Sequence, residues 1–217
     1  LYLERLDPNK NIFLSSELNK FKEEITKKGH IEDNLKVAYD AFKTYGKRYQ
    51  SRYDLQVNFL NNISENDLRS SKRIIRDRSK AERLEVIEEL ENSWQDLIVN
   101  DVIQLMLSGN SVEESAEKTL KRLENQLNYF NQTRNEDIFN IYINSISSIY
   151  GPHTSYMSPK NTEDFDINMS LSLEGIGALL SPDGPYTSIS SLIPGGPAEK
   201  SGLLKPKDKI IGVGQED

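Results

Sequence analysis

Up to about residue 150 the apolar residues of this chain recur at steps of three and four. Beyond about residue 170 they fall into short runs separated by glycine and proline. A period near 3.6 calls for helices, and short apolar runs between turn residues call for strands. One chain therefore carries two architectures. Nine of the twelve glycines and seven of the eight prolines lie beyond position 150, so the turn chemistry belongs almost wholly to the second part. The expected fold is a mainly α N-terminal helical domain over residues 1–165, followed by a partial β-rich domain over 166–217.

Within the first part, Ser15 or Ser16 is expected to cap a helix carrying Leu18, Phe21 and Ile25 and ending at Gly29. A second helix starts near Ile31 and runs Leu35, Tyr39, Phe42, Tyr45, Tyr49, Tyr53, Val57 and Leu60. Its aromatic stripe is expected to be core. A third carries Leu84, Ile87, Leu90, Trp94, Ile98, Val102 and Leu105 and stops at Gly109. Ser111 and Glu114 form a capping box ahead of Val112, Ala116, Leu120, Leu123, Leu127 and Phe130. The last helix holds Ile138 to Ile149 and ends at Gly151-Pro152. Between the second and third, residues 64–83 carry seven cations against four carboxylates. With no aromatic residue interleaved, this stretch is expected to be a solvated connector.

Several functions are excluded. No apolar run approaches the ~18 residues of a membrane span, and the most apolar stretch, Leu97 to Leu107, is broken by Asn100, Asp101 and Gln104. There is no cysteine, hence no disulfide, thiolate zinc site or cysteine nucleophile. The net charge of −7 argues against nucleic acid as the partner. The two histidines, His30 and His153, stand in different elements, so no metal site or cofactor is expected. His153 lies two residues from Ser155, but no orienting third group or nucleophile elbow accompanies them, and a turn is expected. The acidic run at 163–166 reads as a short helical turn capped by Asn161 or Thr162. Gly175-Ile176-Gly177 lacks the third glycine of a dinucleotide fingerprint. Leu1 in place of an initiator Met, and a pattern still running at Asp217, lead us to expect a piece of a longer protein.

The informative block is 171–213. Strands are expected at Ile176–Leu180, Tyr186–Ile193 and Lys209–Val213, separated by Ser181-Pro182-Asp183-Gly184-Pro185 and Pro194-Gly195-Gly196-Pro197. Glycines at 175 and 177 let consecutive backbone N–H groups converge into a nest for an anion. A strand edge beside such a nest, here Leu179 and Leu180, can pair with an incoming peptide. An ordinary glycine-rich hairpin is the competing reading of the loop alone.

Gly175-Ile176-Gly177-Ala178, then Gly196-Pro197-Ala198 with Ser201-Gly202-Leu203, then Asp208-x-Ile210-x-x-Val213, together resemble a PDZ domain of the bacterial protease type. One departure is Lys207, where a glycine is usual before the Asp; it bears on a turn and not on the loop. Upstream, Gly151-Pro152-His153-Thr154-Ser155-Tyr156-Met157-Ser158-Pro159 is similar to the segment preceding PDZ in C-terminal processing peptidases, with Gly151 in place of the usual Asp. Asn161-Thr162-Glu163-x-Phe165 and 169–178 continue the likeness. With the helical region, including Leu6-Asp7 and Phe13-Leu14-Ser15-Ser16, the chain resembles the tail-specific protease family.

That resemblance implies a periplasmic, inner-membrane-associated serine endopeptidase that binds protein or peptide substrates with nonpolar C-termini through PDZ. It implies cleavage by a Ser–Lys dyad, without a metal or other cofactor, in a domain beyond these residues, so that no catalytic residue is expected in this chain. It implies a carboxylate-binding loop at Gly175, Ile176, Gly177 and Ala178, with Leu179 and Leu180 as the peptide-strand edge. The PDZ part is expected to be incomplete, lacking the long helix of its groove. The helical region would enclose the proteolytic core and dock a helical-repeat lipoprotein adaptor. Two alternatives stay open on the sequence: a non-enzymatic helical scaffold carrying a PDZ peptide-binding module, and a helical interaction domain with a glycine-rich linker.

Overall fold

The aromatic-rich periodicity of residues 31–60 produces one long helix, α3 (Ile31–Asn61), on which the helical part is built. The computed structural model describes residues 1–27, 31–69, 73–151, 153–170 and 175–214. Gly29, His30, Lys72, Pro152 and Leu171-Ser172-Leu173-Glu174, which figure in the expectations above, lie outside the described residues. The chain divides into two compact units, Leu1–Tyr156 and Met157–Asp217.

In the first unit α1 (Tyr2–Leu6), α2 (Ser15–Lys27), α4 (Ile87–Leu107), α5 (Val112–Asn131) and α6 (Asn135–Tyr150) join α3. The short helix α1 has too few residues to show a period and was not foreseen. Two apolar cores form along α3. The first gathers Leu6, Phe13, Phe21, Val37, Ala41 and Tyr142 from α1, the loop after it, α2, α3 and α6. The second gathers Leu60, Ile98, Val102 and Leu123 from α3, α4 and α5. Trp94 of α4 is fully buried and donates its indole N–H to Asn11 O at 2.7 Å, while Gln56 of α3 donates to Trp94 O at 3.0 Å. The aromatic stripe packs as expected, but half-buried: Phe42, Tyr45 and Tyr49 gather round Phe130 of α5, with ring centroids 4.8–5.8 Å away.

The capping box of α5 forms as the sequence required. Glu114 N–H donates to Ser111 Oγ at 3.1 Å and Ser111 N–H to Glu114 Oε2 at 3.0 Å. Ser15 does not cap α2. It is the first residue of that helix, and both its N–H and its hydroxyl go to Leu84 O.

That bond belongs to a larger correction. The basic segment is not solvated to its end, because Arg83 is buried against Asp7. Asp7 accepts from the N–H groups of Asn11, Ile12 and Phe13 at 2.9–3.1 Å and pairs with Arg83 Nη1 at 2.5 Å. Arg83 also reaches Asp7 O at 3.2 Å and Glu4 at 3.4 Å. Lys10 donates to Ala81 O at 2.9 Å. A charge buried this deeply is tolerated only with a partner and further hydrogen bonds, and the loop 7–13 supplies both.

In the second unit α7 (Pro159–Met169) is capped by Ser158, whose hydroxyl accepts from Asn161 N–H, with Pro159 at the first helical position. The cap is therefore Ser158, not Asn161 or Thr162, and the helix is eleven residues rather than one turn. A three-stranded antiparallel sheet follows, in the order β1 (Ala178–Asp183), β2 (Tyr186–Leu192), β3 (Lys209–Ile210). A two-residue link, Gly184-Pro185, joins β1 to β2, and Gly184 at φ +61° has the positive φ that tight hairpins need. The one-turn helix α8 (Pro197–Ser201) lies between β2 and β3. Paired strands exclude the linker alternative for this part.

Candidate peptide-binding site

The first strand begins two residues later than its apolar run suggested, because the backbone of Ile176 and Gly177 is engaged elsewhere. Ile176 O accepts from Ala198 N–H at the start of α8, and Gly177 O accepts from Ile193 N–H, both at 2.8 Å. Gly196 N–H closes the opposing turn on Ile193 O at 2.9 Å. With their carbonyls turned into the fold, Ile176 and Gly177 form a loop ahead of β1 rather than part of it. Among the described residues no acceptor takes the N–H of Ile176 or Gly177.

The two glycines of the loop have different reasons to be glycine. Gly177 has φ +74°, and a Cβ there would sit 3.0 Å from both Gly196 Cα and Pro197 Cδ. Its constraint is close packing against its own chain, not the approach of a ligand. A Cβ on Gly175 would meet nothing within 4 Å. The pairing of Gly177 with Gly196-Pro197 escaped the sequence reading. Its one trace was the recurrence of glycine beside proline at 194–197.

Beyond the loop, β1 pairs with β2 alone among the described residues, so its second edge is open. Leu179 and Leu180 both stand exposed on it, at 58% and 49%. Successive residues of a regular strand face opposite sides. Here the register slips between them, with Leu179 opposite Ser191 and Leu180 opposite Ile189, a bulge that bends the edge locally. Ile176 and Ile193 are also exposed. The structure thus places Gly175, Ile176, Gly177 and Ala178 consecutively at the head of an open strand edge carrying Leu179 and Leu180, with apolar side chains at both ends of the loop.

Lys207 resolves the departure noted in the sequence. It adopts φ +76°, the left-handed conformation a glycine would take at no cost, and its N–H donates to Ile189 O at 2.7 Å. Asp208 accepts from Lys205 N–H at 2.8 Å and its carbonyl from Ile189 N–H at 2.9 Å, so the turn holds despite the lysine.

His153 and Ser155 are exposed in the link after α6. What that link holds is Tyr156. Its N–H donates to Asn144 Oδ1 at 2.7 Å, its carbonyl accepts from Asn144 Nδ2 at 3.2 Å, and its ring meets Phe139 edge-on. Asn144 thereby pairs with a backbone as another strand would, and fixes the last residue of the helical unit. Among the described residues no cluster of three His, Asp or Glu side chains could hold a metal ion, and no helix is long and apolar enough to cross a membrane.

Comparison with known proteins divides the chain in a similar way. The family model of the tail specific protease N-terminal domain matches residues 1–160, and that of the PDZ domain matches residues 164–217. The chain is 36% identical over 217 residues to the tail-specific protease of Haemophilus influenzae, covering 99% of this chain and 31% of that protein. Over 107 residues it is 33% identical to the carboxy-terminal processing protease CtpA of Bacillus subtilis, covering 49% of this chain and 22% of that protein. The chain thus spans about a third of the first relative and less of the second. Its helical unit, its glycine loop and these matches agree: the chain belongs to the tail-specific protease family, carrying that family's N-terminal helical domain followed by PDZ sequence.

Proposed function

We propose that this chain is the substrate-recognition and enclosing part of a periplasmic tail-specific serine endopeptidase, associated with the inner membrane. The loop 175–178 receives the terminal carboxylate of a polypeptide on backbone N–H groups, and the edge of β1 at Leu179 and Leu180 pairs with the residues before it. Ile176 and Ile193 line the place of the last side chain, which favours nonpolar tails. The helical unit encloses the proteolytic core and docks a helical-repeat lipoprotein adaptor. Cleavage belongs to a Ser–Lys dyad elsewhere in the protein, with the lysine as general base.

The observation that carries this reading is the anchoring of the Ile176 and Gly177 carbonyls by Ala198 and Ile193 beside an unpaired strand edge. With both carbonyls committed, the loop offers its donors and not its acceptors. The test is degradation of one unfolded substrate by the full-length protein, with its apolar tail as free acid or as amide. The free acid should be degraded and the amide spared, while these 217 residues alone leave both intact. Equal degradation of the two tails contradicts the carboxylate reading. Cleavage by the 217-residue chain that persists in Ser155→Ala contradicts the placing of the dyad.

A further inference from the structure

A cavity of about 40 Å³ in the helical unit is lined by Tyr49, Arg52, Tyr53 and Gln56 of α3 and Leu123 and Gln126 of α5. Arg52 is half-buried there, and burial holds its pKa below the usual arginine value, against the opposite pull of Tyr49, Tyr45, Asp101 and Asp7. Two other arginines of this unit have carboxylates, Arg48 with Glu17 at 2.7 Å and Arg83 with Asp7 at 2.5 Å, while Arg78, half-buried like Arg52, donates to the backbone carbonyl of Glu82 at 3.0 Å. Among the described residues Arg52 has no carboxylate within 4.0 Å and donates no hydrogen bond.

The acids whose charge reaches it are already engaged. Asp7 holds Arg83 and three backbone N–H groups. Asp101 holds Arg122 at 2.6 Å and Arg76 at 3.7 Å. The rest of the lining adds donors. The hydroxyls of half-buried Tyr49 and Tyr53 and the amide of exposed Gln126 have no protein partner among the described residues, while Gln56 has its amide N–H on Trp94 O. A half-buried guanidinium without a counter-ion is a ready partner for an anion. The free space exceeds what a single water needs and has room for the three heavy atoms of a planar carboxylate.

We propose that this cavity is a carboxylate-binding site, with Arg52 as its charged anchor and Tyr49, Tyr53 and Gln126 as its hydrogen-bond donors. The planar fork of a guanidinium matches the two oxygens of a carboxylate. The carboxylate comes from a free small acid or from the glutamate side chain of a bound polypeptide. The site lies in the helical unit and does not depend on the peptide reading of the loop at 175–178.

The test follows the Arg52 Nε–H resonance of the full chain as sodium acetate replaces sodium chloride at constant ionic strength, with N-acetylglutamic acid amide as a second probe. Acetate should shift that resonance saturably, with half-saturation in roughly the millimolar range. Arg52→Lys keeps the charge but loses the fork and should weaken the response roughly tenfold or more. A response to both probes identifies a site open to a side chain, and a response to acetate alone identifies a site for free small acids. If Arg52→Lys does not fold, the wild-type resonance still reports the site. A shift that fails to saturate, or one that chloride alone reproduces, contradicts the proposal and leaves the cavity to water.

Discussion

In the helical unit a carboxylate, Asp7, is buried among three backbone N–H groups and an arginine from 76 positions away. In the second unit Leu203, Ile211 and Val213 keep 83–87% of their surface exposed, and only Ile189 and Ala198 are buried among the described residues. The first unit spans distance with polar contacts because its two apolar cores already hold the helices. The second rests on backbone hydrogen bonds between its loop, its hairpin and α8, each joining residues at most 23 positions apart. Perturbing a distant polar contact should therefore unsettle one unit, and perturbing a local backbone contact the other.

The largest effect expected is at Asp7. Asp7→Ala leaves Arg83 buried without its main partner and three N–H groups without an acceptor, and should cost roughly 3–5 kcal/mol. Thermal melting followed by far-UV helical signal should show the loss, while strand amides of 178–192 keep their chemical shifts. A change below about 1 kcal/mol would mean that Asp7 and Arg83 do not hold the connector in solution.

Gly177→Ala should come next. The left-handed φ and the contacts at 3.0 Å with Gly196 and Pro197 together cost roughly 2–4 kcal/mol. The damage should stay in the second unit, dispersing the β1–β2 amide signals while the Trp94 indole resonance is unmoved. Gly175→Ala serves as the control, because nothing lies within 4 Å of its Cβ. Equal damage from both would show that the loop is not braced against Gly196-Pro197.

The smallest effect runs in the other direction. Lys207 holds φ +76°, and Lys207→Gly should relieve roughly 1 kcal/mol of backbone strain, offset in part by a freer unfolded chain. Amide exchange at Ile189, Lys207 and Asp208 should slow in the variant. Faster exchange there would show that the lysine side chain contributes more than its backbone costs.

The contrast between the units also explains which features were legible in the sequence. Helices α3, α4 and α5 could be read because their apolar steps are local, and α5 also through the reciprocal bonds of Ser111 and Glu114. Arg83 could not, since its partner lies 76 positions earlier in the chain and one charge in a basic run looks like its neighbours. The head of β1 was misplaced for a related reason. Ile176 and Gly177 look like strand residues until Ala198 and Ile193 are seen to bond their carbonyls. Pro182 looks like a strand breaker, yet β1 has an unpaired edge where a missing N–H is tolerated. At the candidate site the sequence yielded the glycines, while the division between a braced Gly177 and an open Gly175 required coordinates.

The central claim is that the loop at 175–178 presents backbone N–H groups to a carboxylate at the head of an open strand. The most direct measurement is an amide chemical-shift titration of the full-length protein with one apolar-tailed peptide, as free acid and as amide. The account predicts that the free acid shifts the N–H resonances of Ile176, Gly177 and Ala178 most, with smaller shifts at Leu179 and Leu180, and that the amide leaves the first three nearly unmoved. Equal shifts from both forms, or shifts centred on β3 instead, would contradict it.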